Sequence, residues 1–263
     1  MNQEQIRQAV KRNILTPQCP PGSPRPWSAM TDPGDIPLRR RVRDTPENWP
    51  VQERGLVGRG RLFDYVSDTV ATPAGAAMQR DYIDHTGAVG VIALDDEERV
   101  VVVHQYRHPA GFRLIEPPAG LLDQDGEDWL VAAQRELAEE AGLAAASWRV
   151  LVDVFTTPGG VTESIRIYLA RELSAAAPAQ GFVAEGEEAH MQVLRVPVDD
   201  LVAGILAGHL QSPTLVAGVL AYAAARDHLD QLRPARAPWP ARTQLARLRA
   251  SVPAKAPCDG DGA

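Results

Sequence analysis

Three carboxylates crowd a single turn of this chain. Glu136, Glu139 and Glu140 stand at i, i+3 and i+4, a spacing that puts all of them on one side of an α-helix. On a solvated face such like charges repel by only about 0.2–0.5 kcal/mol per pair. In a partly buried pocket the repulsion grows unless a cation fills the gap. Mg²⁺ or Mn²⁺ takes hard oxygen donors and keeps positions open for phosphate oxygens. The chemistry indicated is metal-assisted attack on a phosphate group. A Glu-rich helix face is also ordinary surface, so the neighbouring residues decide. Arg135 lies beside Glu136 and four residues before Glu139, where it can hold a carboxylate in place. Glu127 comes eight residues before Arg135, at the start of the helix, where the helix dipole favours negative charge.

These residues need a helix with defined ends. The string over 120–143 reads GLLDQDGEDWLVAAQRELAEEAGL. Residues 123–126 make a turn that feeds a helix over 129–141, and Gly142 can terminate it. Leu130, Ala133, Leu137 and Ala141 form its buried stripe. Around it the pattern is β. Strands are predicted over 52–57, 61–70, 79–85, 88–93 and 99–105, with turns at 72–75 and 94–98. The run Val100-Val101-Val102-Val103 reads as a central strand, buried on both faces. Further strands are predicted over 148–155, 163–173 and 191–196, a small-residue loop over 174–186, and helices over 198–209 and 213–229.

The ends differ in composition. Residues 1–48 read as a Pro- and Arg-rich, poorly ordered arm. Its cluster of Arg39, Arg40, Arg41 and Arg43 reads as a solvated tail. Residues 49–85 read as an N-terminal β region, 86–232 as the main domain and 233–263 as a poorly ordered tail. The net charge of −7 over 263 residues argues against nonspecific nucleic-acid binding, which needs a basic footprint. It does not oppose a phosphate substrate bridged by metal ions. Cys19 and Cys258 lie in the terminal stretches, without zinc spacing, and read as unpaired thiols. No apolar run approaches the roughly 18 residues of a membrane span, and residues 1–16 lack an apolar signal core, so a cytoplasmic location is expected.

The string over 120–143 resembles the box of the Nudix hydrolases: a glycine, a short loop, Glu, seven residues, then Arg-Glu-aliphatic-x-Glu-Glu-x-Gly-aliphatic. Glu127, Arg135, Glu136, Glu139, Glu140 and Gly142 match it. One departure exists, since six residues rather than five separate Gly120 from Glu127. The resemblance extends over roughly residues 50–230 and is to the ADP-ribose pyrophosphatase subfamily. It implies an α/β fold, with a mixed β-sheet in an α/β/α sandwich, preceded by the small β region acting in dimerisation. It implies two or more Mg²⁺ or Mn²⁺ ions held by Glu136, Glu139, Glu140 and the carbonyl of Ala119. Glu127, Arg135 and Gly142 would keep the box in shape. Arg107, at a strand end in Gln105-Tyr106-Arg107, would face the substrate, and an always-charged fork suits a diphosphate. Glu116, Gly159, Gly160 and Glu163 are substrate-binding positions by the same resemblance. Arg61 and Arg80 would reach phosphate from N-terminal strands that cross to a partner in a homodimer.

The general base is expected to be Glu188, Glu187 or Glu139, the first two in a loop before a late strand. Phe63, Tyr65 and Phe112 are candidates for an adenine bed, although core packing is the favoured role of each. The expected reaction is hydrolysis of the diphosphate bond of ADP-ribose to AMP and ribose 5-phosphate. The alternatives are another nucleotide sugar or dinucleotide, such as GDP-mannose or NADH, and a non-catalytic ADP-ribose sensor. A sensor's box usually lacks a key glutamate, and this box is complete. No nucleic-acid or membrane partner is expected.

Overall fold

The computed structural model describes residues 43–124, 126–177 and 191–251. The chain divides into Met1–Thr45 and Pro46–Ala263, and every element named below lies in the second unit. It opens with an antiparallel three-stranded sheet of β1 (Val51–Arg59), β2 (Asp64–Ala71) and β3 (Ala77–Asp84). The β1–β2 turn needs glycine at Gly60, whose N–H donates to the Phe63 carbonyl at 2.9 Å. A Cβ there would sit 2.5 Å from that same oxygen. The predicted turn at 72–75 closes through Gly75 N–H to the Thr72 carbonyl, with Gly75 at φ +83°.

The main sheet is built from β4 (Ala88–Leu94), β5 (Arg99–Arg107), β6 (Phe112–Glu116), β7 (Ala119–Leu121), β8 (Leu143–Phe155), β9 (Ser164–Ala175), β10 (Gln192–Pro197) and β11 (Arg233–Pro234). Its order is β10-β5-β4-β9-β8-β11, with β6 on β5 and β7 on β4. β4 and β9 run parallel and the other pairs antiparallel, so the sheet is mixed. Among the described residues the α-helices are α1 (Trp129–Ala141), α2 (Val198–Leu206), α3 (Pro213–Ala225) and α4 (Pro240–Ser251).

Strand alternation divides the core between two faces. Ile92, Leu94, Val100, Val102, Ile167 and Leu169 pack with Leu201 of α2 and Leu215, Val219 and Tyr222 of α3. Val89, Val91, Ala93, Val101 and Tyr168 pack with Ala132, Ala133 and Leu137 of α1. This is the α/β/α arrangement expected. All four valines of the 100–103 run are fully buried, because helices cover both faces.

One irregularity makes room for a site. β4 and β5 pair only at Ala93–Val101 and Leu94–Val100. Beyond that the strands part. β6 takes over the edge of β5, from Val103–Glu116 to Arg107–Phe112. β7 takes over β4, from Ala88–Leu121 to Gly90–Ala119. Neither inserted strand was predicted. Each is five residues or fewer, and Pro117-Pro118 between them hides any alternation.

Other boundaries moved as well. β8 begins at Leu143, directly after Gly142, and β9 runs to Ala175, so the predicted loop over 174–186 starts later. α3 gives way after Ala225 to a 3₁₀ stretch with His228 outside helical geometry. The larger correction concerns the expected tail from residue 233. As far as Ser251 it is a short strand on β8 followed by α4. The cause is Arg166, which is fully buried on β9. An unpaired charge there would be strongly destabilising. Its guanidinium binds Asp153 with two bonds, of 2.7 and 3.0 Å. It also donates to the Ala237 and Pro238 carbonyls at 2.7 and 3.0 Å. The ring of Trp239, 1% exposed, lies 4.8 Å from it and that of Trp129 5.5 Å.

Candidate active site

α1 carries the carboxylates, and its ends are set by specific caps. Asp128 caps the N-terminus, its Oδ1 accepting from Leu130 and Val131 N–H at 3.1 and 3.3 Å. Gly142 caps the C-terminus at φ +65° and donates to the Ala138 and Leu137 carbonyls. Glu127 thus stands just outside the helix, next to the cap.

Arg135 organises the acidic face. Its Nε and Nη2 reach the two oxygens of Glu127 at 3.1 and 3.2 Å. Its Nη1 donates to Glu136 at 2.6 Å and to Glu139 at 2.9 Å. The Glu127 bonds, with the charge of Glu136 and the bond to Glu139, hold the guanidinium far above its ordinary pKa, against the opposing pull of burial. Glu127 meets Arg135 despite the longer loop after Gly120.

Opposite this face lies β7. The Ala119 N–H donates to Glu140 Oε2 at 2.9 Å. Gly120 lies so close to Glu136 that a Cβ would sit 2.0 Å from its carboxylate. Only glycine lets the strand and the carboxylate meet. Glu136 and Glu140 therefore face the same space as the Ala119 backbone.

That space is a cavity of about 710 Å³ where β4 and β5 part, within the roughly 300–1,000 Å³ usual for ligand pockets. Arg107, Glu116, Ala119, Gly120, Arg135, Glu136, Glu140 and Glu163 line it. Glu116 anchors the opposite wall. It accepts from Gln105 Nε2 at 2.9 Å, Arg107 Nε at 2.8 Å and Ser212 Oγ at 3.2 Å. Arg107 keeps 41% of its side chain exposed. Glu163, at the start of β9, accepts from Thr156 Oγ1 at 2.5 Å and lies 3.2 Å from His85 Nε2. Phe63 stacks on the His85 ring at 4.2 Å, and both line the cavity.

The remaining expected residues are dispersed. Glu139 stays on α1 against Arg135. Gly159, Gly160 and Arg80 line a separate cavity of about 300 Å³ with Arg54, Asp68, Tyr82 and Arg249. Arg61 borders a third recess, beside Arg59 and Asp64. Glu187 and Glu188 lie outside the described residues, as do Cys19, Cys258 and Arg39 to Arg41. Tyr65 and Phe112 are 43% and 58% exposed, so neither packs in the core as favoured. Phe63 is half-buried against His85.

Sequence reasoning missed four contributors. Gln105 was in plain view beside Arg107. Ser212, 1% exposed at the N-terminus of α3, had a readable signal in Ser-Pro opening a helix. Asp128 had the ordinary signal of an N-cap. His85 had none, since its role depends on a contact between residues 85 and 163.

The donors present fit a hard divalent cation. The Glu136 and Glu140 carboxylates line one pocket with the Ala119–Gly120 backbone, and the missing Cβ of Gly120 leaves room for the Glu136 carboxylate there. Among the described residues no three acidic, His or Cys side chains stand together in a ready metal-holding group. Arg135 and the Ala119 N–H occupy carboxylate oxygens of Glu136, Glu139 and Glu140 instead.

Known proteins resemble this chain in sequence and in fold. A protein of Mycobacterium tuberculosis (strain ATCC 25618 / H37Rv) named ADP-ribose pyrophosphatase is 41% identical over 192 residues, 73% of this chain and 91% of the relative. A methanol dehydrogenase activator of Bacillus methanolicus is 36% identical over 141 residues, 54% of this chain and 74% of the relative. A crystal structure described as an ADP compounds hydrolase superposes with a TM-score of 0.59 at 18% identity, over 71% of this chain and 99% of that one. It shares the fold. The NUDIX domain description matches residues 84–215, from the end of β3 into α3. With the box residues on α1 and beside it, these findings place this chain in the Nudix family.

Proposed function

We propose that this Nudix hydrolase cleaves the diphosphate bond of ADP-ribose, giving AMP and ribose 5-phosphate. One observation carries the reading: Glu136, Glu140, the Ala119–Gly120 backbone and Arg107 converge on one cavity. The similarity to the M. tuberculosis ADP-ribose pyrophosphatase supports the choice of substrate.

Ala119, through its carbonyl, and Glu136, Glu139 and Glu140 would hold Mg²⁺ or Mn²⁺, two or more per site. Bound there, the ions neutralise diphosphate charge and make a water more acidic. The protein's own part is positioning and electrostatics. Arg107, braced through Nε by Glu116, offers the outer edge of its fork to a phosphate. Arg135 fixes Glu136 and Glu139 before substrate arrives. Water adds to phosphorus as the bridging P–O bond breaks. The proton leaves to a carboxylate, for which Glu139, Glu187 and Glu188 are the candidates. Glu163, which lines the cavity with Phe63, accepts hydroxyl hydrogens of the sugar.

Arg61 and Arg80 border other recesses in one chain, so a role at phosphate requires a second copy. A homodimer is therefore part of this reading. Leu56 and Val57 of β1, 52% and 57% exposed, offer it an apolar surface. A cytoplasmic location belongs to the same reading; among the described residues no helix is long and apolar enough to cross a membrane.

Glu140→Gln tests the assignment. It keeps shape and hydrogen bonding but removes the charge. Turnover should fall by at least about 100-fold with the melting temperature nearly unchanged. Near-normal metal-dependent turnover in that variant would remove Glu140 from the machinery.

A further inference from the structure

His85 lies between the N-terminal sheet and the active-site cavity, and it is 7% exposed. Each of its ring nitrogens has a polar neighbour. The Gly87 N–H donates to Nδ1 at 2.9 Å, so Nδ1 is an acceptor and the ring proton belongs on Nε2. Nε2 lies 3.2 Å from Glu163 Oε1, and the other Glu163 oxygen takes the Thr156 hydroxyl. The backbone of His85 is fixed as well. Its N–H donates to Thr162 Oγ1 at 2.8 Å, and its carbonyl accepts from Arg249 Nη2 of α4 at 2.6 Å. The Phe63 ring closes over one face. These contacts favour the tautomer with its proton on Nε2.

We propose that His85 is a positioning residue for substrate binding, donating its Nε2 proton to Glu163 so that the remaining lone pairs of that carboxylate face the cavity and accept hydroxyls of a sugar. A carboxylate oxygen can accept two hydrogen bonds, so each Glu163 oxygen keeps capacity after its protein donor is satisfied. Burial holds His85 below the ordinary histidine range, which keeps it neutral near pH 7. Glu163 and Asp84 pull the other way, while Arg249 and Arg242 of α4 reinforce the neutral form. The inference rests on the placement of Glu163 in the substrate pocket made above.

Two substitutions separate the halves of the ring. In His85→Gln the amide nitrogen stands in for Nε2 and can still donate to Glu163. In His85→Asn the amide oxygen stands in for Nδ1 and satisfies Gly87, but nothing reaches Glu163. With ADP-ribose and Mg²⁺, Glu163→Gln and His85→Asn should each raise KM by about 10-fold, with kcat changed far less. His85→Gln should stay within about 3-fold of the parent. The double variant His85→Asn/Glu163→Gln should be no worse than Glu163→Gln, since both remove one interaction. In the parent, ¹⁵N spectra of the histidine ring should show protonated Nε2 and bare Nδ1, and thermal melts should find all variants folded. If Glu163→Gln raises KM and His85→Asn does not, His85 positions nothing and the proposal falls alone. It falls likewise if His85→Gln is as impaired as His85→Asn. If Glu163→Gln leaves KM unchanged, the placement of Glu163 fails and takes the proposal with it.

Discussion

Gly120 separates folding from chemistry at a single position. Its missing Cβ would lie 2.0 Å from the Glu136 carboxylate, which is the end of a flexible side chain and can swing aside. Gly120→Ala should therefore cost little stability, under about 1 kcal/mol, while displacing Glu136 and lowering kcat by about 100-fold. Steady-state kinetics beside a thermal melt read both effects; an active Gly120→Ala would detach Glu136 from catalysis. His85 supplies a prediction in pH. Its folded-state pKa lies below the unfolded value because burial disfavours the charged ring. The unfolded chain therefore takes up the proton first as pH falls. Stability should be complete above about pH 6.5 and decline as pH drops below it. Urea midpoints at pH 7.5, 6.0 and 5.0 should show this decline in the parent and a shallower one in His85→Gln. At this scale the carboxylate face was legible, because i, i+3, i+4 spacing is local. The partners from elsewhere in the chain, Ser212 on Glu116 and His85 on Glu163, were not, because nothing in a window of sequence joins residues about 80–100 apart.

Elements read well where their pattern is long and poorly where it is short. α1 was recognisable with its glycine stop, and the valine run of β5 by its unbroken apolarity. The inserted strands β6 and β7 were too short to show a period, yet their pairing opens the cavity. The segment from residue 233 was misjudged because it is rich in Pro, Ala and Arg, a composition that usually lacks a core of its own. It borrows one from β9. Trp239 covers the buried Arg166, and both neighbouring carbonyls, of Ala237 and Pro238, accept from that guanidinium. Trp239→Ala should destabilise the fold by about 3–5 kcal/mol, measured as a shift in urea midpoint. A loss below about 1 kcal/mol would mean that the segment is an accessory to the core.

Backbone hydrogen bonds tie the N-terminal sheet to the main domain. The Ile83 N–H donates to the Gly160 carbonyl at 2.9 Å, and Thr162 N–H to the Ile83 carbonyl at 3.0 Å. These tie β3 to the loop that carries Gly159 and Gly160. A β region is expected from the sequence over 49–85, and β1 to β3 form a sheet of their own over 51–84. Which cavity each arginine borders was beyond the sequence. If the dimer reading holds, Leu56→Asp/Val57→Asp should sediment as a monomer where the parent sediments as a dimer, and should lose substrate affinity. A parent chain that is monomeric at micromolar concentration would remove the dimer and any role of Arg61 and Arg80 at phosphate. The central claim, hydrolysis of ADP-ribose at the α1 pocket, is tested most directly by product analysis. ADP-ribose, GDP-mannose and NADH are each incubated with the purified chain and Mg²⁺ or Mn²⁺, and the products are separated by chromatography. Metal-dependent release of AMP and ribose 5-phosphate, fastest from ADP-ribose and lost in Glu140→Gln, is the predicted result. ADP-ribose left intact by the folded, metal-supplied protein would contradict the account.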